Sequence, residues 1–376
     1  MKEQDKQWIE TVCVKIEKKM SVVSERSKDK IPYSTEVGVH DDRNLDDISW
    51  WTNGFWGGML WMMYKQTGEE KYKEIANISE DLLDNAMDDY YGLHHDVGFM
   101  WRPTSVSNYK ITGNKKSRKR AMMAANILAG RYNPVGEYIR AWNDHGPNSD
   151  TRGWAIIDCM MNLSLLYWAT EESTDPRFKE IAVKHADTAM NAFIRPDGSV
   201  NHIVEFNPFE GGVVKSYGGQ GYELGSSWSR GQTWGLYGFI ISYIHTGKQE
   251  YLDVAKRVAH YFIANVCDDY TPKVDFRAPE EPYYIDTTAS AIAACGLIEI
   301  AKHVGEHEKN MYLNAAIKLL KVLDEKYVDW SENTDNLLTM CTASYHDEFH
   351  HFSIIYGDSF FLEAMFKLRG NDIFMW

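Results

Sequence analysis

The chain has 376 residues, of which 44% are hydrophobic and 25% are charged, a composition typical of folded globular proteins and not of disordered ones. Its formal net charge of −14 argues against a nucleic-acid partner, because binding to phosphates depends on clustered lysine and arginine side chains. The basic run from Lys110 to Arg120 is short, and we interpret it as a solvated helix start or loop.

The cysteines are scattered along the chain without a CxxC pair, at Cys13, Cys159, Cys267, Cys295 and Cys341. An odd number of widely spaced cysteines indicates neither a disulfide framework nor a zinc site. The N-terminal residues alternate between charged and apolar at helical spacing and do not form the continuous apolar stretch of a signal peptide. Since no apolar run has the length needed to span a membrane, we expect a cytoplasmic protein without a membrane partner.

A two-helix pattern recurs along the chain. Its turn and second helix begin at Thr67, Thr112, Thr174 and Thr246, with a looser copy from Gly305. Each copy follows an apolar segment. These segments run from Trp51 to Lys65, around Phe99, from Trp154 to Thr170, from Gly231 to His245 and from Thr287 to His303, and a sixth runs from Gly357 to Leu368. The first helices are apolar almost all round and should be buried, whereas the second helices have one apolar face.

Six pairs of an inner and an outer helix predict an all-α fold, an (α/α)6 barrel that is closed so that no apolar end is exposed. Because no segment has the composition of a linker, we expect a single catalytic domain over residues 1–376 and not two domains. The loops before the inner helices should converge on one mouth, where helix N-termini favour an anionic ligand. These loops run from Tyr90 to Arg102, from Arg140 to Trp154, from Asn201 to Trp234 and from Asp275 to Asp286.

Two aspartates are candidates for acid–base chemistry. Asp96 lies in HHDVGF, where capping of a helix is the more common role for an aspartate. Asp158 lies in WAIIDCMMNLSLLYW, a segment so apolar that burial should raise its pKa toward that of a general acid. The alternative is a carboxylate neutralised by a buried partner such as Arg152. We favour a catalytic role, because Asp96 is available to share the acid–base work.

Arg230 opens the segment SRGQTWGLYGF, with Trp234 one turn later on the same predicted helix face. The arginine could hold a carboxylate in two parallel hydrogen bonds, and the indole could stack on a sugar, although tryptophans more commonly fill cores. The histidines form no HExxH motif, so we predict no metal site. Without a Walker, GxGxxG or GxSxG motif, nothing indicates a nucleotide cofactor or a serine hydrolase, and we expect no cofactor.

Five segments resemble, in the same order, the unsaturated glucuronyl hydrolases of glycoside hydrolase family 88: WTNGFW (51–56), HHDVGF (94–99), IIDCMMNL (156–163), SRGQTWGLYGF (229–239) and DTTASAIAACGLIEIA (286–301). The resemblance covers nearly the whole chain. It implies an (α/α)6-barrel glycosidase whose substrates are oligosaccharides that lyases make from glycosaminoglycans of the chondroitin, hyaluronan and heparin types. Such an enzyme removes the 4,5-unsaturated uronic acid at the non-reducing end by hydrating the C4=C5 double bond. The resemblance leaves the oligomeric state open.

The resemblance also implies roles for individual residues. Asp158 matches the acid that protonates C4 and then activates the water that adds at C5, and Asp96 matches the assisting carboxylate. Arg230 and Trp234 match the pair that holds the uronate. Other substrate-binding positions match His95, His202, Gln220, Trp51 and Trp142, and Ser216 and Gly218 fall at the adjacent sugar. Asn53 stands where the family pattern has an aspartate, so the pKa balance of the carboxyl groups can differ here.

Three alternative functions remain open from the residues. An unsaturated rhamnogalacturonyl hydrolase acting on pectin fragments would use a similar barrel and similar chemistry. A sugar epimerase or isomerase on the same barrel should depend on histidine bases, and not on a buried acid. An oligosaccharide-binding protein without catalysis would use the tryptophans but would not need Asp158.

Overall fold

The computed structural model describes residues 1–146, 149–266, 268–371 and 375–376. Its helices are α1 (Glu3–Arg26), α2 (Arg43–Asp46), α3 (Phe55–Thr67), α4 (Glu70–Leu82), α5 (Asp84–Asp89), α6 (Val97–Trp101), α7 (Ser107–Thr112), α8 (Lys115–Gly130), α9 (Cys159–Ser173), α10 (Arg177–Ala192), α11 (Ser229–Thr246), α12 (Gln249–Asn265), α13 (Thr287–His303), α14 (Glu306–Val322) and α15 (Ile355–Arg369). Its strands are β1 (Thr35–Glu36), β2 (Val39–His40), β3 (Tyr132–Asn133), β4 (Tyr138–Ile139), β5 (Trp154–Ile156), β6 (Ile203–Phe206) and β7 (Val213–Tyr217). Two π-helical turns, Arg102–Val106 and Leu323–Tyr327, follow α6 and α14.

The long helices form two concentric rings. In the inner ring α3, the segment from α6 to α7, α9, α11, α13 and α15 contact one another in that order, and α15 returns to contact α3. In the outer ring α4, α8, α10, α12 and α14 each pack against the inner helix that precedes them. The inner helices are buried over nearly their whole length, as their all-round apolar character predicts. The (α/α)6 barrel is confirmed.

The sixth hairpin is built differently from the other five. Its inner helix α15 has the N-terminal helix α1 as its outer partner, so it does not follow the predicted order of an inner helix and then an outer one. At the end of α15, Arg369 forms ion pairs of 2.5 Å with both Glu10 and Glu17 of α1. The first and last helices of the barrel therefore close the ring against each other.

The repeated turn of the sequence ends several inner helices in the same way. Gly68, Gly113 and Gly247 have φ angles of 72°, 75° and 71°, a left-handed conformation that suits glycine at a helix C-terminus. Each glycine amide donates to the carbonyl four residues earlier and so completes the last turn. In the copy that lacks this glycine, Thr174 itself adopts the left-handed conformation, with a φ of 58°.

One part of the sequence prediction is wrong. The apolar segment from Trp154 to Thr170 is not one helix, because Trp154–Ile156 is strand β5 and α9 begins only at Cys159. β5 pairs with β6 in a three-stranded antiparallel sheet of order β5-β6-β7. A short apolar run cannot be assigned to helix or strand by periodicity alone, and here the pairing with β6, far along the chain, decides the conformation.

None of the helices in the described residues combines the length and the hydropathy that crossing a membrane requires.

We predict that Gly238→Ala destabilises the barrel. A Cβ at Gly238 in α11 would lie 2.4 Å from the Cβ of Met160 in α9, so the two inner helices would have to move apart. Overpacking of this kind costs about 1–3 kcal/mol in the free energy of unfolding, measurable by urea denaturation. The matched control is Gly235→Ala on the same helix, where the nearest atom would be a valine methyl group at 3.2 Å. Equal effects of the two substitutions would contradict the prediction.

Candidate active site

The inner-helix N-termini surround a cavity of about 620 Å³. Asp96 and Asp158 directly precede α6 and α9, and Tyr356 lies in the first turn of α15. The cavity is lined by Tyr33, Trp50, Trp51, Tyr91, Gly92, His94, Asp96, Trp142, Asn143, Asp144, His145, Asp158, Gln220, Ala343, Ser344, Asp347 and Tyr356. The predicted loops 90–102, 140–154 and 201–234 contribute to this lining. The loop 275–286 contributes none of these residues, and segments 33–51 and 343–347 take part instead.

Asp96 is nearly buried and is held by side chains, not by the helix that follows it. His95 Nε2 lies 3.2 Å from Asp96 Oδ2, and Asn162 donates to Asp96 Oδ1 at 2.9 Å. The carboxylate accepts no hydrogen bond from the backbone of α6, so the capping interpretation is wrong. Burial works to raise the pKa of Asp96, but His95, His94 and Asn162 together outweigh it and hold the pKa below its usual value. Asp96 is therefore ionised near neutral pH.

Asp158 lies in the opposite environment. Its side chain is 13% exposed, and the nearest histidine nitrogen, His202 Nε2, is 3.8 Å from Oδ1. That buried oxygen has no hydrogen-bond partner among the described residues. Burial, followed by the negative charge of Asp96, raises the pKa of Asp158 well above its usual value, and the charge of Arg230 opposes the shift only in part. Asp158 is therefore the carboxyl group of the pair that keeps its proton.

The alternative partner for Asp158 is excluded by the structure. Arg152 is exposed, and its guanidinium pairs with Asp150 at 2.7 Å.

Asn162 is a site residue that sequence reasoning missed. It lies one turn after Asp158 on α9, and besides donating to Asp96 it accepts a hydrogen bond of 2.7 Å from the amide of Phe99. A Cβ at Gly98 would lie 2.5 Å from Asn162 Oδ1, so a glycine is needed for this approach. The spacing of four residues from a buried aspartate was the available signal, because it places both side chains on one helix face. Through Asn162, the helix that carries Asp158 also orients Asp96.

Aromatic rings form one wall of the cavity, and Trp234 lies behind this wall. Trp51 lines the cavity and packs against Tyr356 and Phe99, with ring centroids 5.0 and 5.4 Å away. Trp234 is completely buried and lies behind this wall, 5.2 Å from the ring of Phe99. In this arrangement the indole of Trp234 supports the wall and does not line the cavity. Its contact with a sugar stays a prediction.

Arg230 is also buried behind the cavity, where its two terminal nitrogens have protein partners and its Nε has none among the described residues. Its guanidinium pairs with Asp286 at 2.5 Å and donates to the carbonyl oxygens of Thr342, at 2.6 Å, and Ala343. Asp286 in turn accepts from the amides of Thr288 and Thr342. The pair thereby fixes the segment that brings Ala343 to the cavity. The sequence segment beginning at Asp286 was recognised as a motif, but its ion pair with Arg230 was not predicted.

The glycine-rich loop before α11 encloses His202. The amide of Gln220 donates to His202 Nδ1 at 3.0 Å, and Gln220 Nε2 donates to the carbonyl of Ala343 at 2.9 Å. A Cβ at Gly219 would lie 2.0 Å from His202 Nδ1, so this loop approaches the ring without a side chain. Burial lowers the pKa of His202 to about 3, which makes the ring neutral. Gln220 lines the cavity and His202 lies just behind it.

The remaining predicted positions fall into two groups. Trp142 lines the cavity. Ser216 lies on strand β7 opposite Val204, and Gly218 lines a separate small crevice, so neither is part of the cavity lining. Asn53 is buried, and its Nδ2 donates to the backbone carbonyls of Asp47 and Ile48 at 3.0 and 2.8 Å. Its side chain therefore shapes the loop that carries Trp51.

His94, His95 and Asp96 lie close enough together to resemble a metal site, with one potential ligand atom of each within 4.8 Å of the others. His94 Nδ1 lies 3.4 Å from Asp96 Oδ2, and burial lowers the pKa of His94 to about 4. Within this group the amide of Asp96 donates to His94 Nδ1 at 3.4 Å, while His95 and Asn162 contact the carboxylate.

The fold and the site together define an (α/α)6-barrel protein with a pair of dissimilar carboxyl groups in an aromatic cavity. No protein-family model matches the chain. The chain is 34% identical to the unsaturated glucuronyl hydrolase of Bacillus sp. strain GL1 over 88% of this chain and 89% of that protein. It is 33% identical to the unsaturated chondroitin disaccharide hydrolase of Streptococcus pyogenes serotype M1, over 90% of this chain and 86% of that protein.

The crystal structure of the unsaturated glucuronyl hydrolase from Bacillus sp. GL1, described as responsible for the degradation of glycosaminoglycan, has a TM-score of 0.89 at 32% identity and covers 95% of this chain and 96% of its own. The chain belongs to the unsaturated glucuronyl hydrolase family, whose members are glycosidases.

We predict opposite effects on stability when either aspartate becomes asparagine. An unfolded aspartate ionises near pH 4, so the raised pKa of Asp158 destabilises the fold increasingly above that pH. Asp158→Asn should therefore raise the free energy of unfolding at pH 7 by about 1 kcal/mol or more, and by less at pH 4. The lowered pKa of Asp96 stabilises the fold above pH 4, so Asp96→Asn should lower the free energy of unfolding at pH 7.

Urea denaturation of both variants at pH 4 and pH 7 measures these differences. Shifts of the same sign at pH 7 would contradict the assigned protonation states.

Proposed function

We propose that this protein removes the 4,5-unsaturated uronic acid from the non-reducing end of oligosaccharides that lyases produce from glycosaminoglycans. The observation that carries the proposal is the pair of dissimilar carboxyl groups, Asp158 with a raised pKa beside Asp96 with a lowered pKa, in a cavity of sugar-binding size. The names of the similar proteins support the choice of substrate, since they include a glucuronyl hydrolase linked to glycosaminoglycan degradation and a chondroitin disaccharide hydrolase.

The proposed reaction is a hydration of the C4=C5 double bond. Asp158 donates its proton to C4, and positive charge develops at C5 and the ring oxygen. Water then adds its oxygen to C5 and returns a proton to Asp158, which is now a carboxylate. The C5 hemiketal opens to a ketone, which leaves a hemiacetal at C1 that expels the remaining sugar chain. The balance is one water consumed for one glycosidic bond broken.

The two carboxyl groups divide this work by their environments. Asp158 has an unpartnered oxygen and a raised pKa, so it is available as a proton donor near neutral pH. Asp96 is ionised and adjacent, so its negative charge can stabilise the positive charge that develops in the sugar ring. We infer that Asn162 and His95 act as positioning residues for Asp96, because they hold both of its oxygens.

The substrate carboxylate is proposed to lie in the field of Arg230. This guanidinium does not line the cavity, but its charge lowers the pKa of Asp158 and therefore acts across the same space. Direct contacts to the sugar are assigned to Trp51, Trp142 and Gln220, which line the cavity, with His202 behind Gln220. Ser216 and Gly218 stay predictions for the adjacent sugar.

We also infer that residues 1–376 form one catalytic domain and that the protein works in the cytoplasm. The large hydrophobic cluster includes residues from α1 through α15, which supports one domain. Cys13, Cys159, Cys295 and Cys341 are buried free thiols, which suits a reducing compartment.

We predict that incubation with unsaturated chondroitin disaccharide abolishes the absorbance of the conjugated double bond near 235 nm. Asp158→Asn should lower kcat about 10²- to 10⁴-fold and leave KM within a few-fold, because it removes the proton donor and preserves the shape of the site. Unsaturated pectin fragments, tested in parallel, separate this function from a rhamnogalacturonyl hydrolase. Retention of the absorbance with every glycosaminoglycan product would contradict the proposed function.

The matched control is Asp358→Asn. Burial raises the pKa of Asp358 to about 7, but this carboxylate accepts from the amides of Leu337 and Leu338 and does not line the cavity. Its substitution should change stability and keep kcat within about tenfold of the original protein, because a raised pKa matters for catalysis only where substrate can reach the group. A loss of kcat in Asp358→Asn as large as in Asp158→Asn would contradict the role of Asp158.

We predict a bell-shaped dependence of kcat/KM on pH. On the basic side activity should fall as Asp158 loses its proton, at a pH well above the usual pKa of an aspartate. On the acid side, activity should fall as Asp96 gains a proton, at a pH below the usual pKa of an aspartate. Initial rates across the pH range measure both limbs. Activity that continues to rise through the alkaline range would assign the acid role to another group.

A further inference from the structure

A second cleft lies beside the active-site cavity. It has a volume of about 770 Å³ and shares Tyr91, Asn143 and Asp144 with the lining of the cavity. The two spaces are therefore neighbours across one shared wall. None of the residues assigned to catalysis lines this second cleft, which we call the arginine cleft.

The arginine cleft has an unusual charge for this protein. Its lining contains Arg131, Arg140 and Arg152 but one carboxylate, Asp144, although the whole chain has a net charge of −14. By contrast, the described lining of the active-site cavity has aspartates and neither lysine nor arginine. A concentration of arginines in an acidic protein indicates a surface that recognises an anion.

The arginines of the cleft outnumber its carboxylate: Arg140 pairs with Asp144 at 2.8 Å, and Arg131 has no carboxylate partner among the described residues. Arg131 gives its donors to neutral oxygens, the carbonyls of Arg140 and Ala141 and the side chain of Asn143, each at 2.9 Å. Burial, and after it the positive charge of Arg140, lowers the pKa of Arg131 to about 10. Arg152 pairs with the exposed Asp150 through two hydrogen bonds of 2.8 and 2.7 Å, and the carboxylate of a ligand would replace Asp150 there.

Aromatic side chains accompany these charges. Tyr91 is 85% exposed and Phe209 is 72% exposed, and the guanidinium of Arg152 lies 5.4 Å from the ring of Phe209. The loop of Phe209 is fixed to the turn between β3 and β4, because Asn133 donates to the carbonyl of Pro208 at 3.0 Å. An exposed ring on a fixed loop provides a flat apolar face for a sugar, and the neighbouring arginines provide positive charge for its carboxylate.

We propose that the arginine cleft binds the sugars on the reducing side of substrates longer than a disaccharide, and that its arginines favour a second acidic sugar there. This inference rests on the proposed function, which places the unsaturated uronate at Asp158. The remainder of a longer chain must then leave the cavity, and the arginine cleft adjoins the cavity at Tyr91, Asn143 and Asp144. In a glycosaminoglycan tetrasaccharide the third sugar carries the second carboxylate.

The test compares kcat/KM for three substrates with the same unsaturated end: a glycosaminoglycan disaccharide, the corresponding tetrasaccharide with a second uronate, and a tetrasaccharide whose other sugars are neutral. We expect the acidic tetrasaccharide to exceed the disaccharide about tenfold, with the neutral one between them. Arg152→Gln should remove most of the difference between the two tetrasaccharides. Phe209→Ala should lower both tetrasaccharide values relative to the disaccharide by about fivefold, the size of one aromatic contact.

The matched control for Arg152→Gln is Lys15→Gln. Lys15 likewise combines a surface ion pair, 3.4 Å to Asp324, with a ring, 4.9 Å from Trp330, but it lies on the outer helix α1. This variant should leave the ratios between substrates unchanged. A change in its ratios equal to that of Arg152→Gln would show a general effect of charge and overturn the inference.

The outcomes separate the two claims. Turnover of the disaccharide with equal kcat/KM for all three substrates would overturn the extended site and leave the proposed function intact. No turnover of any substrate would overturn both. If Phe209→Ala changed the sedimentation coefficient without changing the substrate ratios, the exposed rings would be an interface between copies of this chain, and the inference would be wrong.

Discussion

Closure of the inner ring is the constraint on which the rest of the structure depends. Helices that are apolar on every side cannot remain at an edge, so the ring must return on itself, and α1 completes the layer outside α15. Contacts such as that of Gly238 with Met160 leave no space for a side chain between neighbouring inner helices. Because the helices are fixed this tightly, their N-termini hold Asp96 and Asp158 in one place.

The same closure places two aspartates, Asp96 and Asp158, in chemically different environments. Asp96 has His95 and Asn162 as partners, whereas Asp158 has a buried oxygen with no partner among the described residues. Asn162 couples the two, since it belongs to the helix of Asp158 and orients the carboxylate of Asp96. An acid and a carboxylate side by side suit the hydration of a double bond, which needs a proton first and a stabilised cation next. The neighbouring arginine cleft would then bind the rest of a longer substrate and favour a second acidic sugar.

The sequence was sufficient for features that depend on local pattern. Helical periodicity and the repeated Thr-Gly turn predicted the barrel, and the apolar context of Asp158 predicted its raised pKa. Features that depend on distant pairing were missed or misassigned. Arg230 is held by Asp286, 56 residues away, and was expected to be free for the substrate. Trp154 joins a strand because of β6, and Trp234 is screened by Phe99. No local signal specifies such partners.

The most direct test of the account is the protonation state of Asp158 itself. Infrared difference spectra at neutral pH, taken between the original protein and each asparagine variant, report the carbonyl stretch of a protonated carboxylic acid. The account predicts that this band is lost in Asp158→Asn and retained in Asp96→Asn, where a carboxylate band is lost instead. If Asp158→Asn removed only a carboxylate band, Asp158 would be ionised in the resting protein, and its assignment as the proton donor would be contradicted.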